Sequence, residues 1–424
     1  MKILHTVESY DPENHGMQQV VKQLSERLFR AGHDVTIATK YHPKREDLLI
    51  NGVKIEEFRI SGKEVGGYTA EDSEIQRYRD FLLNSDFDVI TNFAAQQWAT
   101  DIALPILNKI KAVKVFVPTG FSELPNVKFN DYFELMKIWM KEYDMNVFLS
   151  NDYQDINFAR ENGIKNIKVI PNGASAEEFV EDISIDIRGE LGIPKNHFLI
   201  LHVGSHTGLK GHKEAVKIFK KAKIKNATLL VVGNSTHYGG KFIYLAKFLI
   251  KSFGNLFDTF SGKRFFPACF ISCTLKNVLH KVSYDRFFNG KLLFVKDLSR
   301  MQTVAAYMEA DLFLFPSNIE CSPLVLFECM ASKTPFLTTD VGNAKEIISW
   351  SNSGMLLPTL ELKDGLRIAD IGKSANVLEE LISDKKDLKE KSLLGFEAFI
   401  HNYSWEKITK EYEILYETSI NKVQ

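Results

Sequence analysis

The 424-residue sequence predicts an α/β protein made of two doubly wound, parallel-sheet domains in tandem. Three observations carry that prediction. Short apolar runs alternate with segments whose apolar residues recur at helical spacing. The alternation occurs in two series, divided by the turn residues Pro171, Asn172 and Gly173. A chain of this length also exceeds one typical core and suits two of about 200 residues each.

The first strand is KILHTV. A polar loop, ESYDPENHG, leads to MQQVVKQLSERLFRAG, where Val20, Val21, Leu24 and Leu28 share one helical face. Gly32 stands where a helix needs a left-handed cap, and HDVTIAT resumes as a strand. DVITNF, KVFVPTG, NVFLS and IKVIPNG are further strands, separated by helical stretches such as WATDIALPILNKI. A polar, acidic stretch then leads into the second series. FLILHVGS, TLLVVGN, KLLFVKDL, DLFLFPSN and PFLTTD read as strands, and KEAVKIFKKA, QTVAAYMEA, PLVLFECMAS and AKEIISW as the helices between them. Near the carboxyl terminus, Trp405, Ile408, Tyr412, Leu415 and Tyr416 recur at helical spacing, which predicts an amphipathic helix packed back on the body. The expected organisation is therefore a domain over 1–175, a second over 180–403, and that terminal helix over 404–424. Ligands of doubly wound domains bind outside the carboxyl ends of the strands, so the expected site is a cleft faced by both domains.

Composition excludes other classes. Fifty-three basic residues against 54 acidic ones leave a net charge of −1, which argues against a nucleic-acid-binding surface. Cys269 and Cys273 have no second Cys pair or His cluster beside them, so no metal site is expected. The amino terminus lacks the apolar stretch of a signal peptide, and no window approaches eighteen uncharged apolar residues. A cytoplasmic location is the expectation.

Three constellations carry candidate chemistry. In DLFLFPSNIECSPLVLFECMASKTPFLTTDVGNAKEI, a buried strand runs through a polar loop into a helix. Ser322 fits the N-cap and Pro323 the first helical position, so the backbone N–H groups of Leu324 and Val325 would face an anion such as phosphate. Glu320 and Glu328 flank that position at a Glu-x7-Glu spacing. Carboxylates repel phosphate unless they face neutral hydroxyls, and a nucleotide sugar carries hydroxyls on both sides of its phosphates. In HVGSHTGLKGHKEAV, a Gly-rich turn after a strand places Lys210 as a diphosphate counter-ion. In ESYDPENHGMQQVV, Gly16 opens a helix where backbone could approach phosphate. Taken singly, each also reads as an ordinary loop or cap.

In this order, the motifs resemble the large GT-B class of retaining glycosyltransferases that includes sucrose synthase and bacterial polysaccharide enzymes, the glycosyl transferases group 1. The resemblance runs through HG at 15–16, GHDVTIAT, IKVIPNGASAEEF, HVGSHTGLKG and FPSNIECSPLVLFECMASKTPFLTTDVGNAKEII. It implies two Rossmann-like domains and sugar transfer from a UDP- or GDP-linked donor to a glycan or lipid-linked glycan, with no bound metal or cofactor. By that resemblance Lys210 binds the donor diphosphate, Glu320 contacts the transferred sugar, and Glu328 holds the ribose. Leu324 and Val325 hold phosphate, with Gly16 contributing from the other domain. Two positions depart from the family pattern. Ser205 stands where a phosphate-binding Arg is usual, with His206 next to it as a possible substitute, and Thr119 stands where the acceptor-side domain commonly has a His. These departures support a second reading, a catalytically silent relative that binds nucleotide or glycan beside a partner enzyme.

Residues 238–290 are an insertion relative to the family. Over 238–291 nine basic residues face two acidic ones, a net of +7, and ten of the 31 phenylalanines lie here. Basic, aromatic segments suit an anionic membrane interface, and 241–266 is the expected contact, placing the protein peripherally on the inner face of the plasma membrane. A helical hairpin covering its own domain is the other reading of the same segment.

Overall fold

In the computed structural model, which describes residues 1–13, 15–180, 184–233, 289–362 and 366–423, the chain forms two units. One comprises Met1–Ser175, Cys321–Leu324 and His401–Gln424; the other comprises Ala176–Glu320 and Val325–Ile400. The insertion over 238–290, apart from its last two residues, and its proposed membrane segment 241–266 lie outside the described residues.

The first unit holds β1 (Lys2–Thr6), β2 (Asp34–Lys40), β3 (Leu49–Ile50), β4 (Val53–Phe58), β5 (Ser61–Lys63), β6 (Gly67–Thr69), β7 (Val89–Phe93), β8 (Val113–Val117), β9 (Met145–Phe148) and β10 (Ile167–Val169). Eight of these form one sheet in the order β10-β9-β8-β7-β1-β2-β4-β3, while β5 and β6 make a separate ribbon. Every pair in the large sheet is parallel except β3–β4. Helices cover both faces, so central strands such as β7 are buried at every residue. The helix Gly16–Arg30 buries Val20, Val21, Leu24 and Leu28, and Gly32 adopts φ +94° beyond its end.

One expected helix is broken. WATDIALPILNKI forms a short α-helix, Trp98–Asp101, and then a 3₁₀ turn, Leu104–Lys109. Pro105 explains the break: its ring would clash with the carbonyl of Asp101, four residues back, in a continuous α-helix.

The terminal helix Trp405–Val423 belongs to the first unit. It seats Trp405, Ile408, Tyr412, Leu415 and Tyr416 in one apolar cluster with Ile3, Val35, Val89 and Val115. The Tyr416 hydroxyl lies 2.7 Å from Thr91 Oγ1 and 3.2 Å from His5 Nε2, so its polar end is satisfied inside that cluster. Burial drives His5 down to a pKa of about 3, which keeps the ring neutral there.

The second unit is wound in the same way. Strands β11 (Phe198–Val203), β12 (Ala227–Val232), β13 (Leu292–Lys296), β14 (Leu312–Phe315), β15 (Phe336–Thr338) and β16 (Gly354–Leu356) form an all-parallel sheet ordered β13-β12-β11-β14-β15-β16. A ribbon of β17 (Thr359–Glu361) and β18 (Arg367–Ala369) follows. Lys291, buried just before β13, donates to the carbonyls of Phe219 (3.0 Å) and Lys220 (3.1 Å) and also bonds that of Ala222. It thereby satisfies the exposed end of the helix His212–Lys221. The sheet order reverses at β1/β7 in the first unit and at β11/β14 in the second. Those are the places where doubly wound sheets bind ligands.

Candidate functional site

In the second unit β11 and β14 lie side by side, and the chain leaves them in opposite directions along the sheet. The loops beyond their carboxyl ends, 204–211 and 316–320, therefore border a crevice. They approach so closely that a Cβ on Gly211 would sit 2.0 Å from the Pro316 carbonyl oxygen, and Gly211 also has φ +74°. Only glycine fits there. Asn318 N donates to Leu209 O (2.8 Å), which laces the two loops together. Across this seam Lys210 Nζ donates to both carboxylate oxygens of Glu320, at 2.8 and 2.8 Å. Ser317 Oγ donates to Glu320 Oε1 at 2.8 Å. Glu320 is 9% exposed and Lys210 30%, so the cation is the more accessible of the pair. An ionised carboxylate held this way presents acceptors to hydroxyl groups, and the ammonium presents charge to an anion.

Beyond Glu320 the chain passes to the first unit for Cys321–Leu324 and returns in the helix Leu324–Ala331. Ser322 does not cap that helix. The helix starts at Leu324, one residue later than the sequence suggests, and the buried Ser322 hydroxyl has no hydrogen-bond partner. The cause lies in the backbone: Asn172 Nδ2 holds the Ser322 carbonyl at 3.1 Å. Leu324 and Val325 donate no hydrogen bond among the described residues, as expected for first-turn N–H groups. Glu328 lies on the same helix, 13% exposed, with Oε1 2.7 Å from Arg300 Nη1.

In the first unit, Gly16 begins its helix with a capping box between His15 and Gln18, and Ser9 Oγ lies 2.6 Å from His15 Nε2. A Cβ at Gly16 would meet nothing within 4 Å. The protein's own packing thus does not call for a glycine here. Thr119 follows β8 with φ +58°, in a run with Gly120 and with Phe121 at φ +46°. Ala94 and Gln96, after the neighbouring strand β7, have φ +63° and +61°. Four non-glycine residues in the left-handed region beyond adjacent strand ends are a concentration of backbone strain of the kind found at functional loops. The strain is held by Asp155, whose Oδ2 accepts from Gly120 N at 2.8 Å. Burial raises the Asp155 carboxyl to a pKa of about 6.

Residues 184–367 match the family model Glycosyl transferases group 1. Over that stretch the chain is similar to the group 1 glycosyltransferases. An uncharacterised glycosyltransferase of Methanocaldococcus jannaschii is 24% identical, with 97% of this chain and 96% of that protein covered. Among solved structures, sucrose-phosphate synthase from Thermosynechococcus elongatus superposes with a TM-score of 0.69 at 16% identity, covering 99% of each chain. Anabaena HepE, solved in complex with UDP-glucose, superposes with a TM-score of 0.67 at 14% identity, covering 99% of this chain and 100% of HepE. The fold is GT-B, built from two Rossmann-like domains.

The matched stretch takes in Ser205, His206, Lys210, Glu320, Val325 and Glu328. Ser205 is exposed at the start of its loop. His206 is folded under that loop, 2% exposed, its ring 4.3 Å from that of His212. It fits there because Gly233 has no side chain: a Cβ would reach within 3.0 Å of the His206 ring. His206 is therefore a buried packing group and offers no surface cation in place of Ser205. Two further histidines share this layer. His202 Nδ1 donates to Leu314 O (2.8 Å) and His212 Nε2 to Gly204 O (2.9 Å). Burial lowers His202 to about 4 and His212 well below the usual histidine range.

The sequence reading missed Arg300. Its guanidinium spans Glu328 and Glu178, with Nη2 2.5 Å from Glu178 Oε2, and it lies 5.6 Å from the centre of the Phe179 ring. A signal was available: Ser299 and Gln302 form a capping box, which fixes residue 300 in the first helical turn beyond β13. Among the described residues, no three or more His, Cys, Asp or Glu side chains are grouped to hold a metal ion, and no helix is long and apolar enough to cross a membrane.

Proposed function

We propose that this protein transfers a sugar, with retention of anomeric configuration and without a metal, from a UDP- or GDP-linked donor to a glycan or lipid-linked glycan. The Lys210–Glu320–Ser317 set at the β11/β14 switch point is the observation that carries this reading. Glu320 is oriented by an ammonium and a hydroxyl, and accepts hydrogen bonds from hydroxyls of the transferred sugar. As the bond from the anomeric carbon to the diphosphate breaks, negative charge collects on the leaving phosphate. Lys210 and the N–H groups of Leu324 and Val325 are preorganised donors for that charge. The acceptor hydroxyl attacks on the face the diphosphate leaves and passes its proton to the departing phosphate oxygen, through an oxocarbenium-like transition state with no protein nucleophile. Glu328, held at Oε1 by Arg300, takes the ribose hydroxyls. Gly16 admits phosphate to the backbone, since among the described residues nothing lies within 4 Å of where a Cβ would stand.

UDP-glucose is the first donor to assay, because HepE was solved with it. The test is donor-dependent nucleotide release in the presence of chelator, across UDP- and GDP-sugars. Wild type is expected to turn over, with Glu320→Ala and Glu328→Ala strongly impaired. Full activity in both variants would overturn the site assignment, and complete dependence on added metal would overturn the metal-free mechanism.

A further inference from the structure

The opposite edge of the second sheet holds a cavity of about 700 Å³. It lies at the amino-terminal ends of the strands, where Phe198 opens β11, Asn226 precedes β12, Asp311 precedes β14 and Pro335 precedes β15. Lys210 and Glu320 stand beyond the other ends of β11 and β14. The six residues of β11, at roughly 3.3 Å each, put about 20 Å of sheet between the two places. A small molecule in the cavity therefore does not touch the donor crevice.

The lining is strongly cationic. Arg188, Lys195, Lys225, Lys333, Lys385 and Lys389 line it, against Asp311 alone among acidic residues. Asp311 is already used: Arg188 Nη2 lies 3.1 Å from its Oδ2. Lys333 is also occupied, with Nζ 4.3 Å from the centre of the Phe396 ring. Lys195, Lys225, Lys385 and Lys389 have no ion pair among the described residues. Four uncompensated ammonium groups around one concavity repel one another and focus a positive potential into it. The volume suits a small ligand, and the charge selects an anion. Lysine binds phosphate as a point charge, whereas planar carboxylates favour the arginine fork, and the arginine here is engaged.

We infer that this cavity is a second binding site, for a compound carrying two or more phosphate groups or for a phosphate-bearing lipid headgroup. It is independent of the donor site and of the transfer reaction proposed above. The probe is inorganic tripolyphosphate, titrated calorimetrically into the full chain and into Lys210→Ala, which removes the donor-side cation. Binding is expected in both, and is expected to weaken about tenfold or more in Lys195→Ala/Lys225→Ala/Lys389→Ala. The control is Lys109→Ala/Lys111→Ala/Lys141→Ala, three exposed lysines of the first unit, which changes the net charge equally and leaves binding intact. The single exposed variant Lys389→Glu is expected to weaken binding too, and covers the case in which the triple variant folds poorly. Equal affinity in the cavity and control triples overturns the site, as does loss of all binding in Lys210→Ala. Cosedimentation with phosphatidylcholine vesicles, with and without phosphatidylglycerol, separates the sources. Loss of phosphatidylglycerol-dependent binding in the cavity triple alone assigns a lipid headgroup; tripolyphosphate binding with no such loss assigns a soluble phosphate compound.

Discussion

Replacing Lys210 with alanine tests the donor crevice most directly, because it leaves Glu320 almost buried and without its cation. Glu320 exposes 9% of its side chain and receives Lys210 on both oxygens at 2.8 Å. Breaking a fully buried pair by removing one partner costs about 3–5 kcal/mol. Lys210 is 30% exposed, so water reaches the stranded carboxylate and about 2 kcal/mol is the expected loss. For a unit of this size that lowers the melting temperature by roughly 4–8 °C. If Lys210 binds the donor diphosphate as proposed, binding suffers twice: a charge-assisted bond to the diphosphate is gone, and an unmasked carboxylate faces the anion. About 3 kcal/mol, or roughly a hundredfold in nucleotide affinity, is expected by calorimetry. Adding Glu320→Gln removes the stranded charge and keeps an acceptor for Ser317. The double variant should therefore regain most of the lost stability and about tenfold of the affinity, while remaining inactive. The cycle is decisive through its coupling: if the effects of Lys210→Ala and Glu320→Gln simply add in both melting and binding, the two side chains do not act as a pair and the reasoning fails.

Gly16→Ala and Gly211→Ala form a contrasting pair. The Gly211 Cβ would meet Pro316 O at 2.0 Å, so that variant should lose about 3 kcal/mol or more, read as a lowered urea midpoint. The Gly16 Cβ meets nothing, so Gly16→Ala should keep wild-type stability within about 0.5 kcal/mol yet lose donor affinity. Unchanged affinity there would remove Gly16 from the site. Ser322→Ala should leave stability unchanged or raised, because the hydroxyl it removes is buried without a partner; a loss of about 1 kcal/mol in urea melts would show that it caps the helix after all. The second unit should be acid-labile through His202. Its folded pKa, about 4, lies below the usual 6.5, so its contribution is fully present above pH 6.5 and is lost as pH falls through 4. The span is worth about 3 kcal/mol, and His202→Gln should flatten that part of the pH dependence of the urea midpoint.

Those parts of the fold written as continuous apolar runs were legible in the sequence. Strands β12 and β14 are buried on both faces and contain no polar residue besides Thr228. The short, partly exposed strands β3, β5, β6, β17 and β18 carry no such run, and nothing local marks them. The meeting of Lys210 with Glu320 spans 110 positions and depends on β11 lying beside β14, an adjacency that strand patterning does not specify. Arg300 with Glu328 is a similar case, because a single arginine in a helical turn has many possible partners. The strained backbone at Ala94, Gln96, Thr119 and Phe121 was hidden for a different reason: none of the four is a glycine, so the sequence gives no sign of positive φ. Ser322 misled because its residue type suits a cap, while Asn172, 150 residues earlier, decides where its carbonyl points.

The place of the terminal helix has a consequence for synthesis. The first unit's sheet is complete by Val169, but Ile408, Tyr412 and Tyr416 fill its apolar face only after the whole of Ala176–Ile400 has been translated. On the ribosome, the unit that begins first closes last. Its hydrophobic face waits, open, through more than two hundred residues of elongation, and the second unit emerges and folds within that interval. Failures in producing this protein, including aggregation after truncation before Trp405, should therefore originate in the amino-terminal unit.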